Sequence, residues 1–139
     1  MSVYRSFLFT PGNHPRRVEK SLSLSTDAVI LDLEDAVAQP EKEASRSMVV
    51  AALAQPRRCL AYVRVNALST TWSYGDIEAV VVPGLDGIIL PKVESAADLQ
   101  TAEWMIASLE RARGLKPGGI DLMPIIETAK GYVALASIV

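Results

Sequence analysis

Five short apolar runs, each closed by a proline, glycine or charged residue and each followed by a helical pattern, narrow the folds open to this chain. Phe7-Leu8-Phe9 stops at the breaker Thr10-Pro11-Gly12. Pro15 to Ser25 reads as a helix, with Pro15 suited to its first turn. Ala28-Val29-Ile30-Leu31-Asp32-Leu33 is apolar apart from one aspartate, as a strand buried on both faces reads. Pro40 to Leu53 is a second helical stretch, rich in Glu, Lys, Ala and Arg. Leu60 to Asn66 is a third strand, and Ile77 to Val82 predicts a short helix before Pro83-Gly84. Gly87 to Lys92 is a fourth strand, stopped by Pro91. Ser95 to Arg113 is the longest helical pattern, with Ser95 as N-cap and Asp98 at the third helical position. Ile120 to Ile126 is a fifth strand, and a fifth helix starts at Thr128.

Strand and helix thus alternate at spacings that suit right-handed parallel crossovers, and the class is α/β with a parallel sheet. Two architectures fit. A five-stranded doubly wound domain of flavodoxin type would be complete in 139 residues. A (β/α)8 barrel needs about 250 residues, so the chain would supply its first five units. Pattern alone favours the complete domain. The end at Ser137-Ile138-Val139, in mid-apolar pattern and without cap or polar tail, favours the barrel.

Composition removes some functions. Half the residues are hydrophobic, 22% are charged and the net charge is −2, which excludes a disordered chain. No basic stripe points to nucleic acid, and a pI near 5.4 offers nothing to an anionic membrane. No run of 18 apolar residues predicts a membrane helix. Met1-Ser2-Val3-Tyr4-Arg5 lacks the pattern of a signal peptide, so the cytoplasm is the expected compartment. Cys59, the one cysteine, abuts an apolar run and reads as a buried inert thiol. A nucleophilic pair would be open to it only with His14, the one histidine.

In both architectures ligands bind at the carboxyl ends of the strands. The polar residues collect there: Asn13 and His14 after strand one; Asp32, Glu34 and Asp35 at strand two; Arg64 and Asn66 at strand three; Lys92 and Glu94 at strand four; Glu127 at strand five. Each has a structural alternative. Glu34, Asp35 and Glu127 could serve only the helix dipoles that follow. Arg64, inside an apolar strand, must have a partner, which could be a structural carboxylate. Lys92 could be solvated, and His14 reads as a loop residue. Carboxylates without a His or Cys cluster favour a hard, oxygen-liking ion, hence Mg²⁺ over Zn²⁺. An arginine beside such an ion offers a planar fork to a carboxylate or a developing oxyanion. That combination suits enolate stabilisation and reversible aldol or Claisen cleavage. No Gly-x-Gly-x-x-Gly or Walker loop supports nucleotide binding.

The segments Arg5-Ser6-Phe7-Leu8-Phe9-Thr10-Pro11-Gly12, Ala28 to Val37, Val63-Arg64-Val65-Asn66, Gly87 to Glu94 and Ile125 to Gly131 resemble, in order, the HpcH/HpaI aldolase and citrate lyase β-subunit family. The resemblance runs over essentially the whole chain. It implies parallel (β/α) repeats that form the first five units of a TIM (β/α)8 barrel. It also implies a Mg²⁺-dependent carbon–carbon lyase acting on a thioester of coenzyme A or an acyl carrier protein. On that basis Arg64 falls on the substrate-binding arginine and Glu127 on a metal-ligand glutamate that also lies against substrate. Arg5, Pro11 and Gly12 fall on a segment near the thioester carrier. Glu34 and Asp35, with Asp32, fall on an acidic group expected to orient Arg64 and metal-bound water. Lys92 matches a further substrate-side position. The family's second metal ligand, after a sixth strand, and a proton-transfer residue of its C-terminal region fall beyond Val139. The resemblance therefore implies a fragment inactive alone, and a homo-oligomer, trimer or hexamer, at full length.

Two other functions stay open at this point. One is a flavodoxin-like receiver domain with an acidic phospho-acceptor site. The other is a non-catalytic remnant that assembles with a partner through exposed half-barrel edges.

Overall fold

A computed structural model describes residues 3–139. Met1 and Ser2, part of the stretch read for a leader, lie outside the described residues. The strands are β1 (Phe7–Pro11), β2 (Ala28–Asp32), β3 (Leu60–Arg64), β4 (Gly87–Leu90) and β5 (Asp121–Pro124). The helices are α1 (Pro15–Leu22), α2 (Lys42–Leu53), α3 (Ser73–Val80), α4 (Ala96–Ala112), α5 (Ala129–Val133) and α6 (Leu135–Ile138).

The strands form one parallel sheet in the order β1-β2-β3-β4-β5. A flavodoxin-type sheet would run 2-1-3-4-5 and carry helices on both faces. Here Val18 and Leu22 of α1, Val49 and Leu53 of α2, Ile77 and Val80 of α3, and Ala102 and Ile106 of α4 all join the cluster on one face, with Val29, Leu31, Val63 and Ile88. The cluster on the opposite face, Ala28, Ile30, Tyr62 and Ile89, contains no helical residue. Sequential order with helices on one side only is the wall of a (β/α) barrel. The doubly wound alternative, and the receiver domain that needed it, are excluded.

Register sorts the concave face into rows. Phe9, Ile30, Tyr62, Gly87 and Asp121 lie side by side, and Pro11, Asp32, Arg64, Ile89 and Met123 form the next row toward the carboxyl ends. In the lower row the Tyr62 hydroxyl donates to Asp121 Oδ2 at 2.9 Å, passing over Gly87. Burial first, and then the Asp121 carboxylate, push the phenol above its ordinary range. A side chain at Gly87 would run into the Tyr62 ring. Phe9 and Phe7 on this face stay 48% and 37% exposed, because β1 has only one neighbouring strand.

Several boundaries differ from the sequence reading for identifiable reasons. The helix expected from Pro40 begins as a 3₁₀ turn over Gln39–Glu41 and becomes α-helical at Lys42. The helix expected from Ile77 to Val82 starts at Ser73 and ends at Val80. A tertiary anchor sets the earlier start. Asp76, fully buried, accepts from Arg46 Nε at 2.8 Å and from Asn66 N at 2.9 Å. Ser95 and Asp98 form the expected cap of α4, each side chain accepting from the other's backbone region. Cys59 is buried, and burial pushes its thiol up. It sits at the start of β3, whereas His14 follows the end of β1, so the two cannot pair.

Gly87→Ala is expected to destabilise the chain by about 1–3 kcal/mol, the usual cost of overpacking. Urea unfolding checks this, and an unchanged midpoint would show that the Tyr62 ring moves aside freely.

Candidate active site

Arg64 ends β3 on the concave face, beside Asp32 at the end of β2. A guanidinium there needs an anion. Asp32 supplies it as a bidentate pair: Nε donates to Oδ1 at 2.8 Å and Nη2 to Oδ2 at 2.6 Å. Both side chains are withdrawn from solvent, 13% and 2% exposed. Glu34 Oε2 lies 3.3 Å from Arg64 Nη1. The Phe9 ring covers the guanidinium at 4.9 Å from its centroid. Asp35, largely exposed, reaches only Lys92, at 3.5 Å. Within the acidic group it is therefore Asp32 that carries the arginine, with Glu34 as auxiliary.

Lys92 follows β4, and its ammonium meets Glu34 Oε1. That bond, opposed in part by desolvation, holds the ammonium above its ordinary range. The backbone N–H of Lys92 donates to Glu127 Oε1 at 3.1 Å. Glu94, the other acidic residue at this strand end, is taken by Lys130 at 3.0 Å. Arg64, Asp32, Glu34, Asp35, Lys92 and Glu127 thus form one connected group over the ends of four strands. Pro11 and Gly12 stand at the end of β1, where Gly12 N donates to Asp32 O at 2.8 Å. A Cβ on Gly12 would lie 2.8 Å from that same oxygen and 2.7 Å from Val49, so only glycine fits. Arg5 is not brought to this rim. It precedes β1 at the opposite end of the sheet, where its backbone N donates to Asp27 at 2.8 Å and its exposed side chain lies 3.7 Å from the same carboxylate. His14 is an exposed loop residue at the N-cap of α1 and makes no side-chain cap bond.

A second polar layer lies beneath the rim, and sequence reasoning missed it. Lys42 is only 6% exposed. Its three protons go to Leu33 O at 3.0 Å, Glu34 O at 2.8 Å and Asn66 Oδ1 at 2.7 Å, and its ammonium stands over Trp72. Burial pulls its pKa down, against the nearby carboxylates of Asp76 and Asp32. Asn66 hands the network on to Asp76 Oδ2 at 2.6 Å, and Arg46 closes it. Asn66, counted with the site residues from sequence, belongs to this supporting layer. The helical spacing of Lys42 with Ser45, Val49 and Leu53, all on the buried face of α2, was the available signal.

The Asp32 carboxyl is held below its usual range. Burial alone raises it, but the Arg64 donors and the N–H groups of Glu34 and Ala36 outweigh burial. The unfolded carboxyl therefore takes up a proton at higher pH than the folded one. Stability from this residue is present above about pH 4 and is lost as pH falls through the folded value. Asp32→Asn is expected to cost about 3–5 kcal/mol at neutral pH, since it strands a buried charge. It should also flatten the acid limb of the stability–pH curve. Equal acid slopes in both proteins would take Asp32 out of this role.

Comparison with known proteins accords with this geometry. The HpcH/HpaI aldolase/citrate lyase family model matches residues 5–139. The citrate lyase subunit beta of Escherichia coli is 41% identical over 136 residues, 96% of this chain and 45% of that protein. A (3S)-malyl-CoA thioesterase of Cereibacter sphaeroides is 36% identical over 137 residues, 97% of this chain and 44% of that protein. The chain thus spans about half the length of the curated relatives it matches. Among solved structures, the protein CitE of Mycobacterium tuberculosis in complex with magnesium, acetoacetate and coenzyme A superimposes with a TM-score of 0.73 at 34% identity, over 95% of this chain and 43% of that one. With a matching family model over nearly all its residues and the barrel wall that its relatives share, the chain belongs to the HpcH/HpaI aldolase/citrate lyase family.

Proposed function

We propose that this chain is the N-terminal part of a single (β/α)8 barrel that cleaves a carbon–carbon bond in a citryl-, malyl- or related acyl-thioester, with Mg²⁺ as cofactor. The observation that carries the reading is the buried Asp32–Arg64–Glu34 group at the strand ends, linked through Lys92 to Glu127. Family membership and the magnesium and coenzyme A complex of the relative support it.

The residues present fit part of a Mg²⁺ site. Mg²⁺ is commonly held by one or two protein carboxylates, with water and substrate at its other positions. Glu127 is exposed at the rim. Glu34 Oε2 is buried 3.3 Å from Arg64 Nη1 without a hydrogen bond, so it keeps acceptor capacity for a water of the ion. At the rim Asp32, Glu34, Asp35 and Glu127 outnumber Arg64 and Lys92, and the Lys42 ammonium beneath offsets only part of that excess, so the rim favours a cation. Among the described residues no three His, Cys, Asp or Glu side chains gather closely enough to hold a metal ion. Glu127 would be the ligand, with Glu34 and Asp35 oriented to its water. Bound there, Mg²⁺ would supply Lewis-acid stabilisation to the oxygens of the oxo- or hydroxy-acid part of the substrate.

The chain's own part is electrostatic. Two of the five donors on Arg64 are spent on Asp32, which fixes the plane of the guanidinium. Nη1 and the remaining Nη2 proton are then aimed by that plane and serve the thioester oxygen. A base removes the substrate hydroxyl proton, the carbon–carbon electrons pass to the thioester as an enolate, and the released half becomes a carbonyl compound. Arg64 stabilises the enolate oxygen until its carbon takes a proton. Pro11 and Gly12 border the thioester side. The base and the second metal ligand come from outside this chain, so the chain alone is expected to be inactive. At full length the protein is read as a cytoplasmic homo-oligomer using coenzyme A or a carrier protein.

The limited ligand set favours one second reading, a binding remnant without turnover. Cleavage of citryl- and malyl-thioesters, with and without Mg²⁺, should be measured on this chain and on the chain extended by the C-terminal half of a family relative. Cleavage is expected only in the extended protein, and Arg64→Ala there should lower kcat by about 10²–10³-fold. An extended protein that folds, binds thioester and does not cleave it would put the remnant in front.

A further inference from the structure

Among the described residues, Lys92 is the one non-glycine residue with positive φ, at 53°. An L side chain is disfavoured in the left-handed region and persists there only where the surroundings over-determine it. The local cause is visible in the ladder between β4 and β5. Leu90 O accepts from Ile125 N at 2.9 Å, and Ile125 O accepts from Val93 N at 3.2 Å. Pro91 and Lys92 fall between these bonds. Pro91 has no N–H to give, and Lys92 turns out of the ladder as the extra residue of a bulge does.

That turn releases two groups. The amide of Lys92, freed from the ladder, donates to Glu127 Oε1 at 3.1 Å. The ammonium crosses the rim to Glu34 Oε1 and comes within 3.5 Å of Asp35. We propose that Lys92 is a positioning residue, which sets Glu34 and Glu127 relative to one another and does not itself contact substrate. It follows β4, its ammonium holds the carboxylate that follows β2, and its amide holds the one that follows β5. An extended backbone at this position would return the N–H to the ladder and leave Glu127 without its donor. The ion pair with Glu34 opposes that return, so charge and strain sustain each other. This rests on the lyase reading for what the two carboxylates do, but not for how they are held.

Two variants separate the parts. Lys92→Met keeps the aliphatic stem and removes the ammonium, while Lys92→Gly removes the side chain yet is at ease in the left-handed region. In this chain, the side-chain carboxyl carbon-13 resonances of Glu34 and Glu127 are the readout. In Lys92→Gly the Glu34 resonance is expected to move and that of Glu127 to stay. In Lys92→Met both should move, because the backbone relaxes once the ammonium is gone. A Glu127 resonance unmoved in Lys92→Met would overturn the proposal. In the extended protein, Lys92→Met should lower kcat by about tenfold or more with KM for thioester changed less than about twofold. A raised KM with kcat kept would make Lys92 a substrate contact and overturn the proposal as well. If the unsubstituted extended protein cleaves nothing, the lyase reading falls, and the carboxyl resonances still decide the role of Lys92.

Discussion

An arginine at the end of a buried parallel strand is tolerable only if an anion meets it, and the Asp32–Arg64 pair is the interaction on which the rest of the rim depends. Its geometry follows from register, since Asp32 and Arg64 are paired neighbours on β2 and β3. With Asp32 fixed, its two oxygens also accept from the N–H groups of Glu34 and Ala36, which turns the chain sharply after β2. The turn delivers the Glu34 carboxylate to Arg64 and Lys92. One aspartate therefore orients a side chain and shapes a loop at once. This is why a carboxylate within an apolar strand is no exception to the strand's logic.

The sheet's one-sidedness explains where polar chemistry could collect. Helices cover the convex face through a large cluster that includes Leu31, Leu53, Ile77 and Ile106. The concave face has only a small apolar group around Ile30, Tyr62 and Ile89. Charged side chains placed in the upper row of that face meet strand ends and loops, not a helix. The layer formed by Lys42, Asn66, Asp76 and Arg46 then stiffens the loops from the helical side. A buried ammonium that satisfies two loop carbonyls leaves β2's following segment little freedom.

Much of this was legible in the sequence, and the misses share a cause. Strands two, three and four could be read because burial on both faces makes a strand continuously apolar. The α4 cap could be read because Ser95 and Asp98 act locally. The strand order could not be read from the pattern, since an alternating chain is compatible with two sheet orders. The resemblance of five segments to one family implied the barrel order, and the sheet has it. The start of α3 depended on Asp76 meeting residues of α2 and β3, which no local window contains. Arg5 stood in a segment that also contained Pro11 and Gly12, but a strand of five residues separates the two ends of the sheet. The left-handed Lys92 arose from a ladder mismatch with β5, invisible until strands were paired.

The two unpaired edges of the sheet among the described residues are chemically unequal. β5 carries Asp121, already taken by the Tyr62 hydroxyl, at its start and Pro124 at its end. β1 offers Phe7-Leu8-Phe9, with all three side chains at least 37% exposed. In the proposed (β/α)8 barrel these two edges would receive the strands that close the wall, and Phe7 and Phe9, on the concave face, would then become part of its interior packing.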